Sequence, residues 1–463
     1  MLRIHPTQLG NNDFKADYHL RYAYLAGAMY KGIASTDLVI RLGKAGLKGY
    51  FGTGGLKLDR IDSAIQTIKQ HLSDPNTYGM NLLCNLIKPS LEEETVNLFI
   101  KHGVRFVEAS AYMQITPSLV LYRLKELRRN SQGKIEIPHH VLAKVSRPEV
   151  AAMFMSSAPR EIINQLVERG LLTAEEALLG ENIPLSHDIC VEADSGGHTD
   201  QGVAYALMPA MQKLRDEMMR QYKYKKEIRV GAAGGIGTPE AAAAAFILGA
   251  DFIMTGSINQ CTVEAGTSNY VKEMLQNLNV QDTTYAPAGD MFELGAKVQV
   301  MRKGLFFPAR ANKLYDLYRQ FNSLEEIDEK TRQQIQEKYF KKSFEEVWQE
   351  TQAFYSKEKP DEITKAQQNS KHKMALIFRW YFIHTSRLAI KGIEDQKVDY
   401  QIHCGPALGA FNQWVKGTEL ENWQFRHVDQ IAEKLMQETA QLLTKRLKQY
   451  ESLSQNHIAT IER

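Results

Sequence analysis

Cysteine is scarce: Cys84, Cys190, Cys261 and Cys404 lie far apart, with no C-x-x-C pair among them. Neither a zinc site nor a disulfide framework is expected from that spacing, and the thiols read as reduced packing groups. Long apolar runs are missing as well, since no stretch approaches the roughly 18 residues a membrane-spanning helix needs. The opening "MLRIHPTQLGNNDF" lacks the charged-then-apolar order of a signal peptide, so a cytoplasmic protein is expected. Nor is there an excess of one charge: 57 Lys and Arg face 54 Asp and Glu, a formal +3. With no basic block interleaved with aromatics to follow a phosphate backbone, nucleic acid is not an expected partner. Short repeats and low-complexity segments are absent too. What remains, 43% hydrophobic and 24% charged residues over 463 positions, suits a globular chain long enough for one large and one smaller domain.

From about residue 20 to 258 a short apolar run, a Gly-rich or polar turn and an amphipathic segment alternate, the pattern of repeated βα units. The runs are "AYLAGAMY" at Ala23, "LKGYFG" at Leu47, "YGMNLLC" at Tyr78, "VRFVEAS" at Val104, "HVLAKVS" at His140, "DICVEAD" at Asp188, "IRVGAAGG" at Ile228 and "DFIMTGS" at Asp251. Eight is the strand count of a closed (β/α)8 TIM barrel, expected here over residues 1–310. Ser90 ahead of "LEEE", and Thr238 before Pro239, read as helix starts. The connection from Arg147 to His187 is too long for one helix. It predicts a helical insertion at about 157–187 after strand five, read as a lid or wall over the pocket or as a surface ornament. Beyond Ser257 the alternation stops, and long charged, amphipathic stretches predict a helical C-terminal domain over 311–463.

The chemistry-bearing residues cluster at strand ends. Gly234-Gly235 and Gly256-Ser257 occupy the turns after strands seven and eight, the usual phosphate site of such barrels. Glycines there turn the chain tightly and let backbone N–H groups approach an anion. Flavin mononucleotide, another nucleotide or a sugar phosphate would all satisfy them. Asn81 offers an amide to a heterocycle edge, and Lys144 is an inward cation that is costly to bury unpaired. Ala28 and Met29 bring backbone and a soft side chain close to the site. In "EADSGGH", Glu192 and Asp194 share one strand face, Gly196-Gly197 leave room for a planar ligand, and His198 stands just past the strand end, able to donate a hydrogen bond or proton near neutral pH. Paired acids would also suit metal or glycosidase chemistry, but Glu108 is the one other acid at a neighbouring strand end.

In chain order, "DSGGH", "AGGIG" and "TGS" resemble the strand-end motifs of the flavin-dependent nitronate monooxygenase and enoyl-reductase superfamily. "VEADSGGHTD", "GSINQCTVEAGTS", "APAGDMFELGAKVQV" and "FFPARANKLY" look more narrowly like the PfaD-type trans-acting enoyl reductases of polyketide and polyunsaturated fatty acid synthases, a likeness spanning nearly the whole chain. That resemblance implies non-covalent FMN, reduced by NADPH, and hydride delivery to a 2-enoyl thioester on an acyl carrier protein. It implies phosphate at Gly234, Gly235, Gly256 and Ser257, the ring and ribityl chain among Ala28, Met29, Asn81, Lys144 and Gly197, and His198 as the catalytic residue. Gln201-Gly202-Val203 depart from the Asn-Arg-Pro-like continuation the family carries, so loop contacts there are expected to differ. A nitronate monooxygenase-like oxidase and a non-catalytic docking subunit of a synthase are the competing readings. The oligomeric state stays open, a homo-oligomer included.

Overall fold

The computed structural model describes residues 3–85 and 88–461, with side chains as far as Glu451. Eight parallel strands close into a barrel: β1 Tyr24–Ala26, β2 Lys48–Phe51, β3 Gly79–Leu83, β4 Phe106–Ser110, β5 His140–Val145, β6 Asp188–Glu192, β7 Arg229–Ala233 and β8 Ile253–Thr255. Neighbours in the ring are neighbours in sequence, and β8 returns to β1 in the register Tyr24↔Ile253. All eight expected runs are strands. Thr238 caps the helix Pro239–Ile247, its hydroxyl accepting the Ala241 N–H at 3.3 Å. Ser90 does not play that part: its helix, Pro89–His102, starts one residue earlier on the fixed φ of Pro89, and Lys88 at the cap supplies no side-chain bond.

Alternate residues face the barrel axis, and their sizes are matched across strands. Tyr50, Phe106, Leu142, Cys190, Phe252 and Met254 share one buried cluster with Leu25 and Ala233. A Cβ added to Gly231 would fall 2.3 Å from the Phe252 ring, and one added to Gly79 equally close to the Tyr50 ring. These glycines hold their places because an aromatic at or just before a neighbouring strand takes the volume. A short helix, Asn12–Tyr18, closes the strand N-termini, with Phe14 stacked on Phe252 at 4.2 Å. Beneath it Arg229 grips Asp188 through Nε and Nη2 at 2.6 and 2.9 Å, and the Tyr18 hydroxyl donates to the same carboxylate at 2.9 Å. Both charges are almost fully buried, and the two-pronged geometry is what lets the pair survive out of water.

The insertion after strand five is helical, Arg160–Glu168 and Ala174–Gly180, but it does not cover the mouth. It follows the barrel helix Pro148–Met155 and precedes β6, so the chain enters it on the side of the strand N-termini. Ile163, Leu166 and Leu179 are buried, and the segment packs beside the helix Pro117–Leu124, where Lys125 donates to the Leu171 carbonyl at 2.7 Å and the Glu126 N–H to Glu176 at 2.7 Å. The expectation of a lid or wall over the pocket is therefore corrected: the segment packs on the outer side of the barrel, as the surface-ornament reading had it.

The single cut expected near residue 310 is replaced by an interleaved division. One compact unit comprises Met1–Asp194, Gln201–Gly266 and Trp414–Arg463, the other Ser195–Asp200 and Thr267–Gln413. In the second, the antiparallel strands Thr283–Pro287 and Lys297–Met301 share a core with the helices that follow, Ala286, Phe292, Val298 and Val300 packing with Phe307, Leu314, Phe378 and Phe382. In the first, the last helix, Val428–Ile461, packs on Pro239–Ile247 and is tied by Arg41 to Asp429 at 2.6 Å and by the Tyr22 hydroxyl to Glu433 at 2.7 Å. We expect Gly231→Ala to lower stability by about 1–3 kcal/mol, the usual cost of overpacking a core, read as a fall in urea midpoint at unchanged slope; a midpoint equal to wild type would contradict the packing described.

Candidate active site

Three neighbouring strand ends carry an ion cluster at the barrel mouth. Lys144 Nζ on β5 lies 3.3 Å from Glu108 Oε1 on β4 and 3.4 Å from Glu192 Oε1 on β6. Parity brings them together, since Phe106, Glu108 and Ser110 share a face, as do Leu142 and Lys144, and Cys190 and Glu192. Burial alone would push the Lys144 ammonium below the ordinary lysine value, but Glu192 and Glu108 outweigh it and hold the group above that value, so it stays charged. Glu108 is fully buried. Its second oxygen accepts the Ala28 N–H at 2.8 Å, and Ser110 Oγ donates to the first at 3.2 Å. Asn81 places both amide hydrogens, on the Glu108 carbonyl at 2.9 Å and on Ser110 Oγ at 3.1 Å, which leaves Oδ1 as its acceptor for a ligand. Glu108 thus joins Ala28, Asn81 and Lys144 into one constellation. Met29 enters through its backbone, whose carbonyl fills the place a Cβ on Gly52 would need.

The two glycine turns divide their work. Gly234, at φ +84°, has no room for a side chain, because a Cβ would lie 2.5 Å from the Ala193 carbonyl. Gly235 and Gly256 would place a Cβ in open space, with nothing within 4 Å. That side-chain-free space beside the ends of β7 and β8 suits a phosphate approached by backbone N–H groups. Ser257, half-buried, opens the short helix Ser257–Gln260 directly after Gly256.

Gly197 and His198 belong to the second unit, where they form a two-residue strand against Lys297–Met301 in the register Gln299↔Gly197 and Val298↔His198. His198 Nε2 meets Asp290 Oδ1 at 2.8 Å, and both side chains are exposed. A Cβ on Gly196 would sit 2.7 Å from the backbone of Cys404 and Gly405, so this glycine makes room for a neighbouring segment of chain, not for the planar ligand expected there. Gly197, buried at φ +85°, lies against the His403 ring. Sequence reasoning missed two partners. Glu108 was visible as an inward acid, but its tie to Lys144 needs the strand register; Asp290 lies in the family-like string "APAGDMFELG", 92 positions from His198.

A family described as nitronate monooxygenase matches residues 12–292, and the one described as the inserted helical domain of [acyl-carrier-protein] S-malonyltransferase matches 321–400. The polyketide biosynthesis protein PksE of Bacillus subtilis is 59% identical over 96% of this chain. A polyunsaturated fatty acid synthase polypeptide of Thraustochytrium is 42% identical over 89% of it. Both relatives are longer proteins, of which the chain spans 58% and 28%. Among solved structures, the enoyl reductase domain of MlnA from the macrolactin cluster of Bacillus amyloliquefaciens is 50% identical with a TM-score of 0.92, covering 96% of this chain and 99% of that one. The barrel, its mouth of glycines and ion pairs, and these likenesses agree, and the chain belongs to the nitronate monooxygenase family, in its PfaD-type branch.

Proposed function

We propose that this chain is an FMN-dependent, trans-acting enoyl reductase that uses NADPH to reduce the 2,3 double bond of an enoyl thioester carried on an acyl carrier protein. The observation that carries the reading is the likeness to the MlnA enoyl reductase domain over essentially the length of both chains. The residues fit the cofactor: open space at Gly235 and Gly256 takes a phosphate, with Gly234 and Ser257 shaping the turns around it. Ala28, Met29, Asn81, Lys144 and Gly197 are the proposed neighbours of the ring and ribityl chain. FMN, when bound, supplies the hydride exchange between nicotinamide and enoyl β-carbon. Lys144, kept charged by Glu108 and Glu192, offers a fixed cation where negative charge gathers on reduction. His198 is the proposed catalytic residue, donating to the thioester oxygen as it becomes enolate-like or to the α-carbon, an interaction strongest in the transition state. A carrier-protein partner is supported by the similarity of residues 321–400 to a helical domain of a carrier-protein acyltransferase. The name of the matching family favours one competitor, an oxidase of nitronates.

Anaerobic stopped-flow mixing separates these readings. We expect the purified protein to bind FMN, to be bleached rapidly by NADPH and to regain its colour with a carrier-bound 2-enoyl thioester. Bleaching by a nitronate and not by NADPH would assign the oxidase, and failure to take up FMN on titration would leave a docking subunit. His198→Ala is expected to keep FMN and its reduction by NADPH while slowing reoxidation by enoyl thioester about 100-fold, the lower end of what a general acid contributes; unchanged reoxidation would remove His198 from the catalytic role. Lys144→Met strands the buried Glu108 carboxylate, so we expect a stability loss of about 3–5 kcal/mol together with weaker FMN retention, both measured by thermal shift with and without added FMN. A melting temperature equal to wild type in both conditions would show that the cluster does not depend on its cation.

A further inference from the structure

The hydrogen bonds at the end of β4 run in one consistent direction. The Lys144 ammonium and the Ser110 hydroxyl meet the same oxygen of Glu108, Oε1, at 3.3 and 3.2 Å. With a cation against it that oxygen is an acceptor, so Ser110 spends its one hydrogen there. A hydroxyl that has given away its hydrogen can only accept, and the donor it faces is the Asn81 amide at 3.1 Å. The second amide hydrogen goes to the Glu108 carbonyl, an obligate acceptor, at 2.9 Å. Two acceptors on β4 thus hold the Asn81 nitrogen, and its oxygen, Oδ1, makes no hydrogen bond among the described residues. Little here can shift. Asn81, Glu108 and Ser110 are all buried, and the strand register sets Asn81 beside Glu108 and Leu83 beside Ser110. Thr53 Oγ1 donates to the Asn81 carbonyl at 2.9 Å, and the Cys84 N–H to the Ser110 carbonyl at 3.3 Å. Ser110 is the last residue of β4, and the chain leaves it through Ala111 at φ +61°, a left-handed turn that a residue with a Cβ adopts at a cost. Backbone strain of this kind gathers at binding and catalytic sites.

We infer that Ser110 is a positioning residue for Asn81: with its own hydrogen committed to Glu108, it holds the amide so that Asn81 offers a bound ligand an acceptor and no donor. The inference rests on the place proposed for Asn81 beside the flavin. It also fixes the chemistry of the group that meets Asn81, which must carry an N–H or an O–H. Oxidised FMN has such donors at the one N–H of its ring, N3–H, and at the ribityl hydroxyls, whereas its ring carbonyls can only accept.

The test is a double-mutant cycle in the full-length chain, with wild type, Ser110→Ala, Asn81→Ala and the double variant titrated with FMN by flavin fluorescence after removal of bound flavin. Ser110→Ala is expected to weaken FMN binding about tenfold, the upper end of what one hydrogen bond contributes. In the Asn81→Ala background it is expected to add nothing, because the residue it acts through is gone. Equal losses in both backgrounds assign Ser110 to the Glu108–Lys144 pair or to packing and overturn the inference, as does unchanged affinity in Ser110→Ala. Ser110→Cys keeps the side-chain volume with a poorer acceptor, and takes the place of Ser110→Ala in the cycle if that variant does not fold. FMN methylated at N3 identifies the donor. A penalty against the analogue that disappears in Asn81→Ala assigns N3–H, and equal discrimination by the two proteins assigns a ribityl hydroxyl; either is a donor to the same oxygen and agrees with the inference. A second measurement needs no flavin. In asparagine-15N-labelled protein, the Asn81 side-chain signal, identified by its loss in Asn81→Ala, is expected to exchange with solvent about tenfold faster in Ser110→Ala, one protecting bond having gone. An unchanged exchange rate overturns the inference. If wild type takes up no FMN, the cofactor reading has failed by itself, and the exchange rate alone decides: faster exchange supports the role of Ser110, an unchanged rate ends it.

Discussion

An eight-stranded parallel barrel encloses a fixed volume, and every inward side chain competes for it. At the strand N-termini the competition is settled by filling: Phe14, Tyr18, Phe106 and Phe252 stack there, and Gly231 and Gly79 are small because their neighbours are large. At the strand C-termini the inward positions are glycine, amide or charge, as Gly256, Asn81, Glu108, Lys144 and Glu192 show. A packed floor is what permits an open mouth, because the strand register is already determined below it.

Charge is handled differently at the two ends. On the floor, Arg229 is shared between Asp188 and Asp17, with Tyr18 completing the Asp188 carboxylate. At the mouth, one ammonium stands between two carboxylates, and only Glu108 is fully enclosed. The cluster thereby keeps a cation in place at neutral pH while the adjoining amide of Asn81 retains an acceptor. The floor pair and the mouth cluster differ in what they leave over, not in the strength of their contacts.

The second unit shows the same economy with a hairpin. Phe292 anchors a turn in a core of aromatic side chains, and the residue two positions before it, Asp290, carries the carboxylate that meets His198. β6 ends at Glu192, and within the loop Ser195–Asp200 that follows, Gly197 and His198 take their pairing from this hairpin. That explains why Gly196 is a glycine, since the Cys404–Gly405 backbone lies where its side chain would be.

Much of this was legible without coordinates. The eight runs, the inward parity of Glu192 and Lys144, the Thr238 cap and the glycine turns after strands seven and eight all follow from local periodicity and backbone stereochemistry, which need only a few consecutive residues. The insertion was legible as helices, but whether it stood over the pocket or on the outer side was not, because its position depends on which barrel helix it buries Ile163 and Leu166 against. The cut near residue 310 failed for a similar reason: Ala286 and Val298 have strand character in any context, and only shared burial with Phe307 and Phe378 assigns them to the helical unit. Sequence by itself determined the architecture and the residue types at the strand ends, because those depend on neighbours in the chain. Tertiary structure alone decided the pairs Lys144 with Glu108 and Glu192, His198 with Asp290, and the return of the last helix to the barrel unit, because each is a distance between residues far apart in sequence that barrel closure or a hairpin must first set.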